Sequence, residues 1–165
     1  MTYEEYLERD ERCKTWLIQK INKGNKYTSA TASTGRYDWY DVSATVDGET
    51  DVYEIKARDE AHDTPNHNNI VDKQKIDTFK RCEDNYRKGY LLTLYNDGYY
   101  FINDMTEEPL FIGEPQEGNQ WHGKKQYINY QKGKPHKLSV AEYAYIYGIT
   151  PTVCYNRCDE NSNSW

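Results

Sequence analysis

Between Trp39 and Asp59 the chain reads WYDVSATVDGETDVYEIKARD, two alternating runs about a turn. Asp47-Gly48 is a strong hairpin signal, because both central residues of the tight turn need positive φ. Residues 36–46 and 50–58 are therefore expected to pair as antiparallel strands. Charged residues interrupt both runs. Side chains alternate along a strand, so Glu54, Lys56 and Arg58 share one face. Asp41 lies at hairpin distance on the strand before.

Asp41 and Glu54 can thus converge on one point. Two carboxylates ~4 Å apart repel by ~4 kcal/mol at an effective dielectric of about 20. A proton or a cation between them relieves that repulsion. A hard divalent ion accepts oxygen donors and keeps sites for water and phosphate. The Lys56 ammonium, two residues on, adds fixed positive charge beside a phosphate or an attacking water. These are the parts of a metal-assisted phosphodiester hydrolase. The plainer alternative is a surface hairpin with charged edges, since D…E-x-K is a short pattern.

The remainder of the chain alternates helices with hairpins. Residues 3–22 carry Tyr3, Tyr6, Leu7, Cys13, Leu17 and Ile21 near one helical stripe. Thr2 and Glu5 form a capping box, and Gly24 stops the helix. Asp10 falls on the apolar stripe, so it either pairs with Lys14 or faces a polar site. Residues 59–68 read as a loop and 69–88 as a second helix ended by Gly89. A second hairpin turns at Asn96-Asp97-Gly98, and the PLFIG run adds a short strand. A last helix is capped by Ser139 with Glu142 and stopped by Gly148. The pattern is one mixed α/β domain over residues 1–155, with a sheet core flanked by helices and a polar, flexible tail at 156–165.

Composition narrows the partners. The 165 residues are 36% apolar, but 17 Tyr supply large apolar area with polar tips, so a tyrosine-rich core is expected. No apolar run spans a bilayer, and the acidic N-terminus has no signal-peptide core, so a cytoplasmic protein without a membrane partner is expected. The cysteines, Cys13, Cys82, Cys154 and Cys158, are expected as free thiols. Cys154 and Cys158 with His136 are too loosely spaced for a convincing zinc site. The net charge of −6 opposes nucleic acid, yet the charges are segregated. Residues 4–11 hold five acids, whereas 119–137 hold five lysines and no acid. There Trp121, Tyr127 and Tyr130 interleave with Lys124, Lys125, Lys132, Lys134 and Lys137, a pattern that can stack bases and track phosphates. A solvated hairpin is the plain alternative. His62, His67 and His122 read as loop or surface residues.

Asp41 followed by Glu54-x-Lys56 resembles the PD-(D/E)XK nuclease superfamily, which has the restriction-endonuclease-like fold. The helix run IVDKQKIDTFK, Ile70 to Lys80, is similar to the acid-x-x-Lys helix of small phage and mobile-element members. The resemblance is strongest from Tyr40 to Lys80. Tyr40 stands where the motif's Pro would be, and Asp38 is a rival to Asp41. It implies a Mg2+- or Mn2+-dependent nuclease, with DNA the expected substrate and a homodimer compatible with it. Asp41 and Glu54 would hold metal with a first-helix acid, Glu8 preferred over Asp10 and Glu11. Lys56 and Lys75 would be catalytic, with Asp72 facing the site. Arg58, Lys73, Lys124, Lys125, Lys132 and Lys134 would contact nucleic acid. One rival is a catalytically degenerate nuclease fold acting as a binding, phage accessory or structural module. A second is a nuclease directed at RNA.

Overall fold

The computed structural model describes residues 1–34, 38–64, 69–117 and 125–148. Helix α1 (Tyr3–Lys23) opens the chain, and strands β1 (Ser29–Ala32), β2 (Val42–Val46) and β3 (Glu49–Ala57) follow. Next come β4 (Asn69–Asp72), α2 (Lys73–Cys82) and a 3-10 turn at Glu83–Asn85. Strands β5 (Lys88–Leu94), β6 (Tyr99–Asp104), β7 (Phe111–Ile112), β8 (Tyr127–Tyr130) and β9 (His136–Lys137) precede α3 (Val140–Tyr147). One sheet runs β1-β2-β3-β5-β6-β9, and a smaller one runs β4-β8-β7. The expected mixed sheet flanked by helices is present.

The hairpin forms about the expected turn, but its first strand, expected over 36–46, begins only at Val42, because Asp41 turns its side chain to the Ile55 N–H. Asp47 and Gly48 have φ of 49° and 77°, and Val46 pairs with Glu49 across them. β3 then pairs in parallel with β5, through the crossover carrying β4 and α2. Alternation along β3 divides the core. Tyr53 and Ile55 pack with Cys13, Trp16 and Leu17 of α1 and Tyr143 and Ile146 of α3. Val52 packs with Ile76 and Phe79 of α2 and with Ile128 and Tyr130 of the small sheet.

The expected helix over 69–88 is corrected. Its first four residues are strand β4, paired with β8, and the helix begins only at Lys73. Asp72 adopts extended backbone and its side chain accepts from the Gln74 N–H, so it caps the helix. Gly89 lies inside β5, not at a helix end. The Phe79 ring occupies the space a side chain there would need, with Cε2 2.6 Å from an ideal Cβ. Strands β1 and β9 lie in stretches that carry little apolar alternation, and the sequence did not signal them.

The tyrosine-rich core is present, and it is wired to charge. Asp51 is fully buried and accepts two bonds from Arg87, at 2.9 and 2.6 Å. The Tyr27 hydroxyl donates to the same carboxylate at 2.6 Å and meets the Tyr53 hydroxyl. Every oxygen of this buried acid is thus satisfied, the condition under which a buried charge is tolerated. Arg87→Met strands Asp51 and is expected to destabilise by roughly 3 kcal/mol. Thermal melting should register this as a fall in Tm of about 6–12 °C.

Candidate active site

β2 ends its pairing with β3 at Val42 opposite Tyr53, while β3 continues to Ala57. The Asp41 N–H still donates to the Tyr53 carbonyl at 2.8 Å. The next rung of the ladder is a side chain: the Ile55 N–H donates to Asp41 Oδ2 at 2.8 Å. The edge of β3 from Glu54 onward is therefore open on this side. A cavity of about 220 Å³ fills that opening. It is lined by Tyr6, Arg9, Asp10 and Cys13 of α1, by Asp41, by Glu54 to Ala57 of β3, and by Lys75 of α2.

Four sequence-predicted residues, Asp41, Glu54, Lys56 and Lys75, meet here. Glu54 is 1% exposed. Its Oε1 receives the Lys75 ammonium at 2.6 Å and the Lys56 ammonium at 2.9 Å. Its Oε2 is buried with no hydrogen-bond partner among the described residues. Asp41 Oδ1 has the Lys14 ammonium 4.0 Å away. Burial, and then the neighbouring Glu54 charge, push the Asp41 carboxyl up to about 6. Burial alone would lower Lys56, but Glu54 and Asp41 outweigh it and raise its pKa, so the ammonium holds its proton firmly. Asp10 is exposed at the cavity rim, yet partial enclosure raises its carboxyl against the pull of Lys56, Arg9 and Lys14.

The remaining candidates divide. Glu8 does not line the cavity: its side chain is 71% exposed and lies 3.9 Å from Arg12, so Asp10 is the acid that α1 brings to the site. The signal was present in the sequence, an acid in line with Tyr6, Cys13 and Leu17. Asp38 and Asp72 do not line the cavity either, and Asp72 pairs with Lys125 at 3.6 Å. Arg58 donates to the Ile70 carbonyl at 2.7 Å and so ties β4 to the main sheet. Lys73 pairs with Asp77 at 2.7 Å. Lys132 turns inward, donating to the His62 carbonyl and lying 4.8 Å from the Tyr95 ring. Lys134 is exposed. Lys124, Trp121, His67, His122, Cys154, Cys158 and the 156–165 tail lie outside the described residues.

Arg9 was not anticipated. It is 3% exposed, reaches Asp59 at 2.5 and 3.2 Å, and forms a wall of the cavity. Nothing in its local sequence marks it, because its partner lies 50 residues away. His62, expected at the surface, is half-buried and bonds Asp97 at 2.5 Å. With Asp63 these groups offer ligand atoms within 4.8 Å of one another. Lys132 already supplies positive charge to that cluster, and none of it lines the cavity.

No family model and no curated protein matches the sequence. Among solved structures the chain is similar to Hjc of Archaeoglobus fulgidus, described as a Holliday junction resolvase from an archaeal hyperthermophile. The match has 13% identity and a TM-score of 0.42, and covers 72% of this chain and 81% of that one.

The raised Asp41 carboxyl has a stability consequence in metal-free protein. Between the ordinary value of 3.8 and about 6 the folded chain holds a proton that the unfolded chain has lost. Stability from this group is therefore present at low pH and lost as pH rises through that window, by at most roughly 3 kcal/mol. Asp41→Asn should remove this loss, and metal-free melting at pH 7.5 should show the variant at least as stable as the wild type.

Proposed function

We propose that the chain is a divalent-metal-dependent nuclease of the PD-(D/E)XK type, acting on DNA in the cytoplasm. The observation that carries the reading is the Glu54 carboxylate, buried beside a second acid with one oxygen left without a partner. An unpaired buried carboxylate oxygen is costly, and a cation offsets that cost.

The donor set fits such an ion. Glu54 Oε2 and Asp41 Oδ1 are hard oxygen donors, and Asp41 Oδ2 is already held by the Ile55 N–H. Asp10, rather than Glu8, is the α1 acid able to add a third oxygen at the rim. Two carboxylates with room for water and phosphate suit Mg2+ or Mn2+ better than a softer ion. When bound, the ion would lower the pKa of water and neutralise charge on the transferring phosphate.

The protein's own groups do the rest. Lys56, firmly protonated, donates to water or to a phosphate oxygen instead of acting as the base. Lys75, brought by α2 to the same Glu54 oxygen as Lys56, adds a second positive charge that would hold the substrate's phosphate backbone. Lys134, and Lys125 despite its pairing with Asp72, would add phosphate contacts outside the cavity, while Arg58, Lys73 and Lys132 serve mainly internal contacts.

One observation favours a second reading. Lys56 and Lys75 both sit on Glu54 Oε1, as they would in a purely structural ion cluster. A catalytically silent nuclease fold that binds nucleic acid would keep that arrangement.

Cleavage separates the two. Labelled duplex, single-stranded and branched DNA, and RNA, are incubated with Mg2+ and with EDTA. Metal-dependent cutting, preferring DNA, is expected. Lys56→Met and Lys75→Met should each lower the rate by about 10²–10³-fold, the usual cost of one such charge. Binding without metal-dependent cutting would establish the silent module. Neutralising Lys125 and Lys134 together should flatten the log–log salt dependence of DNA binding by about 0.9 per lost contact.

A further inference from the structure

The apolar stripe of α1 is covered only over its second half. Cys13, Leu17 and Ile21 are buried against the sheet. Tyr6 and Tyr3 continue the same stripe toward the N-terminus, yet they are 44% and 73% exposed. The N-terminal half of the helix lies beside the open edge of β3. Tyr6 therefore stands over the cavity and forms part of its wall, beside Asp10, Arg9, Glu54 and Lys56. Asp10 lies four positions beyond Tyr6 on the helix, a rise of about 6 Å.

The ring is held in place. The Arg9 guanidinium lies 5.4 Å from the Tyr6 centroid, and Asp59 fixes that guanidinium through two bonds. Tyr6 is thus an aromatic plate backed by an immobile cation, with its remaining surface turned to solvent.

We propose that Tyr6, with Tyr3 beyond it, is a stacking platform for an unpaired nucleobase next to the phosphate drawn to Lys56 and Lys75. The proposal rests on the nuclease reading and specifies its substrate class. Charge favours a base over other occupants. The phosphate side of a nucleotide is drawn to Lys14, Lys56 and Lys75, whereas Glu4, Glu5, Glu8 and Glu11 project from the other faces of α1. Those acids repel backbone from the helix and leave its tyrosines to a neutral ring. A base within continuous duplex has both faces covered by its neighbours. Only a single strand, a flap or a branch point can offer a face to Tyr6.

The test uses the full chain in EDTA, so that binding is read without cutting. The probe is an oligonucleotide carrying 2-aminopurine, single-stranded or annealed as duplex. The wild type should bind the single strand more tightly and quench its fluorescence. Tyr6→Ala should weaken single-strand binding by about five- to 150-fold, the range for losing one base–aromatic stack, and abolish the quench. Tyr6→Phe should restore both. Tyr145→Ala, an equally exposed ring on α3 outside the cavity, should change neither. Equal affinity for duplex and single strand, or an unchanged Tyr6→Ala, would overturn the proposal. So would a Tyr6→Ala that alters only the oligomeric state, which would assign the face to a protein partner. Metal-dependent cleavage by the wild type is scored separately, so failure of the nuclease reading is distinguishable from failure of the platform.

Discussion

The bond from the Ile55 N–H to the Asp41 carboxylate shapes the open end of the sheet and the cavity beside it. A strand that outruns its neighbour leaves backbone donors exposed at its edge. Here the first such donor is taken by a side chain in place of another backbone rung. The pairing therefore stops without leaving the donor orphaned, and the end of β3 remains open. The same bond fixes an acid beside Glu54, where Coulomb repulsion and burial would otherwise drive it away. Removing the carboxylate's charge relieves the repulsion but also loosens the device that holds the edge open.

Two buried acids of this protein are handled in opposite ways. Asp51 is saturated by Arg87 and Tyr27, and nothing about it invites a further ligand. Glu54 has two cations on one oxygen and, among the described residues, no hydrogen-bond partner on the other. The buried Glu54 Oε2, without a hydrogen-bond partner among the described residues and next to an acid raised to about 6, is what supports the proposal of chemistry in this cavity.

Much of this was legible locally. Asp47-Gly48 set the hairpin, and with it the meeting of Asp41, Glu54 and Lys56. Lys75, expected from the resemblance alone, lines the same cavity, although its helix starts four residues later than the sequence suggests. The errors share a cause, which is pairing across long sequence separation. β4 is a strand because β8 lies beside it, more than 50 residues on. Arg9 is buried because Asp59 reaches it, and Lys132 turns inward toward His62 and Tyr95. Asp10, the acid set within the apolar stripe, lines the cavity, whereas Glu8 on the flank of the helix does not. The stripe itself was over-read: period predicts which side of a helix faces the core, but not where the core ends.

Calorimetric titration of Mn2+ into the metal-free protein tests the central claim most directly, because it needs neither substrate nor turnover. The account predicts binding in the wild type, largely retained in Lys56→Met and lost in Glu54→Gln and in Asp41→Asn. Affinity should weaken as pH falls below about 6, where Asp41 takes up its proton. No binding by the wild type, or binding that survives Glu54→Gln, would contradict it.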